Sequence, residues 1–169
     1  MSIDLAELNH LPCDAFTNLL GSVFEHSPWV AREAAEGRPF GSLDSLHTAM
    51  VAVVETASSE QQLALLCAHP ELARRGPLTA ASASEQGGKG LDSLAASEAA
   101  VFDALNATYR SRFGFPFIIA VRGQRDRGAI LLAMQQRVTH SAEQERKAAL
   151  AEVAKIAWFR LEDMFKNGV

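Results

Sequence analysis

Two short polar segments interrupt an apolar, alanine-rich chain and carry much of its candidate chemistry. In the first, residues 67–73, His69 stands directly before Pro70. Because a residue before proline is disfavoured in the α region, the preceding apolar run should end as helix near His69. The imidazole is then held at a joint between two elements, where a group that titrates near neutral pH can serve as a general acid or base. The alternative is a capping or packed histidine.

The second polar segment, residues 82–88, sets a carboxylate among small residues and glycines. Ser82 and Glu85 have the Ser-x-x-Glu spacing of a capping box, so one interpretation is that Glu85 folds back on a helix start. The other is a binding segment, because Gly87 and Gly88 let backbone approach a ligand and uncharged side chains suit urea-like or imide-like edges. Its candidate residues are Ser82, Ala83, Ser84, Glu85 and Gln86.

Arg160 is a cation on an otherwise apolar stripe of the last predicted helix. It follows Ile156 by four residues, in register with Ala149, Val153 and Met164. A guanidinium at such a position pairs with an anion or extends to solvent. A structural ion pair and a fork for a substrate carboxylate both fit the pattern.

Residues 113–121 break the helical pattern. Gly114 and Pro116 disfavour helix, and the apolar, β-branched run that follows predicts extended backbone. Extended backbone in a helical protein has N–H and C=O groups to satisfy, and these can bind a flat heterocycle while the side chains pack in the core. The candidates are Phe117, Ile118, Ile119, Ala120 and Val121.

The remainder of the chain predicts the helices that position these segments. Of 169 residues, 48% are hydrophobic and 21% charged, so we expect one compact all-α domain over residues 1–169 without a significant sheet. Residues 76–90 are expected to be loop, or loop with one turn. Helices are expected from Asp14 to about Phe24, from Pro28 to near Gly37, from Ser42 or Asp44 to about Thr56, from the capping box at Ser58 to Ala68, from near Ser93 to about Arg112, from about Asp126 to Thr139, and from about Ala142 to Phe165.

Composition and spacing argue against several classes of protein. The net charge is −4 and no basic stripe is interleaved with aromatic residues, so nucleic acid is a poor candidate partner. No apolar run approaches the roughly 20 residues of a membrane span, and no signal peptide is predicted. The two cysteines favour a reducing, cytoplasmic compartment. The five histidines are scattered without ligand spacing and do not predict a metal site. No phosphate-binding loop predicts a nucleotide cofactor.

Taken together, the segments resemble one family, the 2-oxo-4-hydroxy-4-carboxy-5-ureidoimidazoline (OHCU) decarboxylases. The resemblance runs from about Leu11 to Phe165 and departs at Lys89, where the family usually has a small residue, and at His140, where Asn is more usual. The motifs that carry it by their order and spacing are His69-Pro70-Glu71-Leu72-Ala73, Ser82-x-x-Glu85-Gln86, Gly90-Leu91, Tyr109 with Phe113-Gly114-Phe115-Pro116-Phe117, and Ile156-Ala157-x-x-Arg160-Leu161.

The resemblance implies an all-helical, cofactor-free homodimer that converts OHCU to (S)-allantoin and CO2. It implies His69 as the catalytic acid/base and substrate contacts from Pro70, residues 82–86, the backbone of residues 117–121 and Arg160. On this hypothesis the catalytic residues are His69, Glu85 and Arg160. Arg160 holds the anionic substrate, while Glu85 binds its N–H groups and shares proton control with His69. Two alternatives stay open: a non-catalytic helical interaction module, and a hydrolase or isomerase of a neighbouring ureide.

Overall fold

Helices make up the regular secondary structure, as the sequence predicts. The computed structural model describes residues 3–73 and 78–166, and no strand forms within these ranges. The all-α class is therefore confirmed for the described part of the chain. In chain order the helices are α1 (Leu5–His10), α2 (Cys13–Leu20), α3 (Pro28–Ala34), α4 (Leu43–Thr56), α5 (Ser59–Ala68), α6 (Ala80–Gly87), α7 (Ala96–Phe113), α8 (Arg127–Arg137) and α9 (Ala142–Lys166), with 3-10 turns at Ala35–Gly37 and Val121–Gly123.

Local capping signals fix several helix starts where they were predicted. Pro28 is the first residue of α3, where its missing N–H costs nothing. Ser42 caps α4 through a reciprocal capping box with Ser45. Asp126 caps α8 by accepting the Ala129 N–H at 2.8 Å, and this hydrogen bond lowers the pKa of its carboxyl.

The N-terminal helices differ from the prediction. Helix α1 was not predicted, although Asp4 caps it by accepting from the Ala6 N–H. Helix α2 follows Pro12, so Asp14 lies in its first turn and is not its cap. It also ends at Leu20 and not near Phe24, which is nevertheless buried. An apolar side chain can thus lie in the core without belonging to a helix.

The largest correction falls on residues 76–90, which the sequence predicts as loop. Residues 76 and 77 lie outside the described ranges, but Ala80–Gly87 form the two-turn helix α6. Its cap is Thr79, whose hydroxyl accepts the Ser82 N–H at 3.2 Å. Ser82 is therefore inside the helix, and the proposed capping box between Ser82 and Glu85 is wrong. An alanine-rich stretch with one good cap outweighs the glycines that follow it.

Other boundaries shift by two or three residues. Helix α7 starts at Ala96 and not near Ser93, and α8 ends at Arg137 and not at Thr139. Helix α7 ends at Phe113 because Gly114 takes a left-handed conformation, φ 78°, while its N–H still reaches the Arg110 carbonyl. This turn directs the chain into the irregular segment that follows.

The described residues fall into two units. The terminal unit comprises the residues up to Ala68 and those from Ala154 onward, and the central unit spans His69–Val153. Each has buried apolar side chains, for example Phe16, Leu46 and Met50 in the terminal unit, and Phe102 and Ile130 in the central unit. The single domain over residues 1–169 stays a prediction. None of the helices in the described ranges combines the length and apolarity that a membrane span needs.

Candidate functional site

His69 lies at the joint that the sequence predicts. Helix α5 ends at Ala68, and His69 follows it as a buried residue, 7% exposed. The next residues form no helix: Pro70 and Glu71 are irregular, and a turn follows at Leu72 and Ala73. The imidazole is thus carried by a rigid helix end and shielded from bulk water, a setting suited to controlled proton transfer.

Two buried amide side chains fix the turn after His69. The Asn106 side chain of α7 donates to the Leu72 carbonyl at 2.9 Å, and the Gln86 side chain of α6 accepts the Ala73 N–H at 3.0 Å. Ala73 itself has φ 59°, a left-handed conformation that disfavours residues with a Cβ. The two amides therefore stabilise a turn that the backbone alone would not favour.

Helix α6 presents a polar face built from three of the predicted residues. Ser82 and Gln86 are buried and Glu85 is half-buried, as the i, i+3, i+4 spacing requires for one face. Ala83 and Ser84 are exposed. The side-chain oxygen of Gln86 already accepts the Ala73 N–H, so the predicted role of Gln86 toward a ligand rests on its NH2 group.

The glycines after α6 end the helix. The Leu91 N–H donates back to the Gln86 carbonyl at 3.2 Å, and Gly90 takes φ 70° between them. A Cβ at Gly90 would also meet the Arg127 guanidinium at 3.3 Å. The helix end thus explains the glycine at position 90.

Residues 116–120 have irregular backbone without helical hydrogen bonds, in agreement with the predicted break. All the side chains from Phe117 to Val121 are buried. Two backbone groups are bound by side chains: the Ile118 carbonyl accepts from Arg137 Nη1 at 2.6 Å, and the Ala120 N–H donates to Glu152 Oε2 at 2.8 Å. The side chains pack in the core, and within the described ranges Arg137 and Glu152 satisfy two of the segment's backbone groups.

A buried ionic network contacts this segment through Arg137. Glu145, which is fully buried, accepts hydrogen bonds from Arg137 Nε at 2.8 Å and from the Tyr109 hydroxyl, and its other oxygen lies 3.0 Å from His140 Nδ1. Burial, and then the neighbouring Glu145 carboxylate, raise the pKa of Tyr109 above its usual range. The Arg137 guanidinium also lies over the Phe117 ring, 4.5 Å from its centroid.

Arg160 forms the structural ion pair that the sequence left open. Its Nη2 lies 2.8 Å from Glu25 Oε2, and its Nη1 donates to the Ser22 carbonyl at 3.3 Å. Both side chains of the pair are buried. Arg160 and Glu25 belong to the terminal unit, whereas the other predicted site residues belong to the central unit.

Within the central unit, α6 connects the predicted segments. It contacts Ala73 through Gln86, and it packs beside the 3-10 turn Val121–Gly123 that continues the irregular segment. Among the described residues, no group of three His, Cys, Asp or Glu side chains is placed to hold a metal ion. The structure thus gathers a buried imidazole, a polar helix face and an irregular backbone segment in one unit.

Comparison with known proteins assigns this arrangement to a family. The family model of the OHCU decarboxylases matches residues 9–162, most of the chain. The chain belongs to the OHCU decarboxylase family. A protein of Haloferax volcanii, named 2-oxo-4-hydroxy-4-carboxy-5-ureidoimidazoline decarboxylase, is 47% identical over 98% of both chains. A uric acid degradation bifunctional protein of Bacillus sp. is 42% identical over 97% of this chain but only 32% of its own length.

Solved structures of this family have the same fold. A crystal structure of (S)-allantoin synthase superposes with a TM-score of 0.79 at 35% identity and covers 96% of this chain, which spans 54% of that longer chain. A crystal structure of OHCU decarboxylase in the presence of (S)-allantoin superposes with a TM-score of 0.70 at 22% identity, covering 90% of this chain and 98% of that one. The second likeness supports the helical fold alone.

For this OHCU decarboxylase family member, sequence reasoning missed the residues that support the site. Asn106 could have been found, because it falls on the buried face of α7 between Phe102 and Tyr109 at helical spacing. Arg137 and Glu145 lie in different helices, and nothing in the sequence links them. Glu25 lies outside the regular helices, where no periodic pattern predicts burial.

Proposed function

We propose that this chain decarboxylates OHCU to (S)-allantoin and CO2 in the breakdown of urate. The observation that carries the proposal is the buried His69 at the end of α5, beside a turn fixed by α6 and α7. The names of the relatives at up to 47% identity support the same reaction. The buried imidazole, the polar face of α6 and the irregular backbone of residues 116–120 support the proposal.

The reaction we propose needs no cofactor. Loss of CO2 breaks a carbon–carbon bond and leaves an electron pair, and the C=N bond of the imidazoline, adjacent to that carbon, accepts it. The protein then has to orient the substrate and place protons. His69 is our acid/base group. A proton delivered to one face of the former C=N carbon would set the S configuration of allantoin, while the hydroxyl proton leaves as the ring carbonyl forms and the ring nitrogen gains a proton.

We propose binding roles for the remaining candidates. Glu85 accepts from ureido or ring N–H groups and shares proton control with His69, while the Gln86 NH2 group donates to a substrate carbonyl. Arg160 holds the anionic substrate, with its guanidinium oriented by Glu25. Further contacts come from Pro70, from Ser82, Ala83 and Ser84, and from the backbone of residues 117–121.

We further propose that the protein acts as a homodimer in the cytoplasm. The family resemblance suggests the dimer, and the composition and cysteine usage favour the compartment. Sedimentation at several protein concentrations tests the dimer directly. A monomer at all concentrations would contradict it without affecting the proposed reaction.

The decisive experiment follows freshly generated OHCU by its ultraviolet absorbance and the product by circular dichroism. We expect the wild type to accelerate loss of OHCU with release of CO2 and to yield a single allantoin enantiomer. His69→Asn should abolish this while retaining the native helical spectrum, and the exposed His10→Asn serves as the matched control. Full activity in His69→Asn would contradict the role of His69. No OHCU turnover by the wild type would support the interaction-module alternative.

A further inference from the structure

The two peptide groups on either side of Ile119 are each held by a charged side chain. Arg137 binds the carbonyl of the 118–119 peptide at 2.6 Å, and Glu152 binds the N–H of the 119–120 peptide at 2.8 Å. Both ends of a single residue are therefore anchored, although this part of the backbone belongs to no helix. Such anchoring fixes two consecutive peptide planes.

The direction of the remaining polar groups follows from peptide geometry. In a planar trans peptide the C=O and the N–H point in opposite directions, and both of these peptides are trans. The Ile119 N–H therefore points away from Arg137, and the Ile119 C=O points away from Glu152. Neither group is hydrogen-bonded to any residue in the described ranges, although Ile119 is only 5% exposed. A buried donor and acceptor of this kind call for a partner.

The two anchors share one helical support. Glu145, which fixes Arg137, and Glu152 are seven residues apart in α9, which places them two turns apart on the same face. Glu145 is itself held by Tyr109 and His140. One face of α9 thereby carries the supports of both peptide planes, and the buried network around Glu145 leaves the 118–119 plane little freedom to rotate.

We infer that Arg137 and Glu152 are positioning residues that orient Ile119 as a donor–acceptor pair for a ring amide edge of the ligand. The inference rests on the proposed function, since it concerns the recognition of a ureide ring at the same site. A neighbouring N–H and C=O on the ligand can donate to the Ile119 carbonyl and accept from the Ile119 N–H, as residues of paired strands do. The protein would therefore discriminate between ligands by the N–H and C=O groups on that ring edge more than by their net charge.

The test measures this discrimination in binding, apart from turnover. Dissociation constants for (S)-allantoin and for its derivatives methylated on each ring nitrogen are compared by calorimetry. N-methylation removes the donor, so in the wild type one methylated derivative should bind about fivefold more weakly. Glu152→Met removes the anchor of Ala120 and should reduce this ratio to about twofold or less, while Glu152→Gln, which keeps an acceptor oxygen, should restore it.

The outcomes separate the inference from the proposed reaction. If Glu152→Met lowers only the melting temperature and keeps the full discrimination, Glu152 is structural and the inference is wrong. Equal binding of all the derivatives by the wild type would overturn it as well. If discrimination behaves as expected but the wild type does not decarboxylate OHCU, the reaction is wrong and the positioning role stands. Arg137→Lys provides a second variant, because it keeps a donor near the Ile118 carbonyl. Its discrimination ratio should lie between those of the wild type and Glu152→Met.

Discussion

The two units each contain a buried arginine–glutamate pair, and the pairs connect different parts of the chain. In the central unit Arg137 and Glu145 come from the consecutive helices α8 and α9. In the terminal unit Arg160, near the C-terminal end of α9, reaches Glu25 in the segment between α2 and α3. The central pair links two consecutive helices across a short connection, while the terminal pair links residues near the two ends of the chain.

The second contact of each arginine differs as well. Arg137 donates to the Ile118 carbonyl, in the segment proposed to bind the ligand, whereas Arg160 donates to the Ser22 carbonyl, in an ordinary connection. Removal of one partner from a buried pair leaves an uncompensated charge, so both pairs should matter for folding. Only variants of the central pair are expected to change ligand discrimination by moving the backbone around Ile119. The comparison teaches that burial and pairing alone do not reveal the task of an arginine.

The largest effect is expected from Glu145→Leu. It strands the Arg137 charge in the core and should lower the free energy of unfolding by about 3–5 kcal/mol, measured by urea denaturation. The double variant Arg137→Met/Glu145→Leu should recover a large part of that loss. Glu143→Gln, which disrupts only the exposed pair with Lys147, is the control and should leave the melting temperature unchanged. A loss below about 1 kcal/mol for Glu145→Leu would contradict the expectation that the Arg137–Glu145 pair matters for folding.

A smaller effect is expected from Glu25→Gln in the terminal unit. The amide keeps the shape and one acceptor, and Arg160 keeps its bond to Ser22, so the loss should be about 1.5–3 kcal/mol. Because Arg160 is proposed to hold the substrate, KM for OHCU should also rise. If KM stays constant while stability falls, the terminal pair is purely structural and the contrast between the two pairs becomes sharper.

The loss of stability caused by Tyr109→Phe should be greatest below about pH 10 and should shrink at alkaline pH. The raised pKa keeps Tyr109 protonated in the folded protein, while the unfolded chain ionises at about pH 10. The contribution of Tyr109 to stability is thus complete below pH 10 and declines above it, by about 1.4 kcal/mol per pH unit. The wild type should lose this increment relative to Tyr109→Phe in urea titrations. Tyr109 is the only tyrosine, so appearance of phenolate absorbance in the native protein near pH 10 would contradict the prediction.

The smallest effect is expected at His140, at the edge of the network around Glu145. Its ring is partly exposed and lies 3.0 Å from Glu145 Oε2. His140→Asn can still donate to the carboxylate and should change the free energy of unfolding by less than about 0.5 kcal/mol, whereas His140→Ala should cost about 1 kcal/mol. Equal losses in both variants would show that the ring packs and does not act as a donor.

The sequence predicts the parts of this molecule that depend on local signals. The joint at His69, the break at Gly114 and the cap at Asp126 all follow from the backbone preferences of one or two residues. Helix α6 was missed because its glycine-rich end outweighed the alanines in a short window. The stripe singled out Arg160 but left open whether it pairs with an anion or extends to solvent, and Glu25, its buried partner, has no periodic context.

The supporting side chains of the candidate site could not be predicted, because they depend on contacts between distant segments. Asn106 meets the Leu72 carbonyl across 34 residues, and Glu152 meets the Ala120 N–H across 32. A pattern of helical spacing identifies a buried polar residue but not the backbone group that it will bind. The candidate ligand-binding residues were therefore easier to propose than the residues that hold them in place.

The division into two units also distributes the aromatic chromophores. Both tryptophans, Trp29 in α3 and Trp158 in α9, belong to the terminal unit, and the single tyrosine belongs to the central unit. Indole fluorescence therefore reports on the terminal unit, and the near-ultraviolet tyrosine signal of Tyr109 is specific to the central one. Coincident melting curves would identify one cooperative block and separate curves two. The chain carries its own optical labels for this distinction, without any introduced dye.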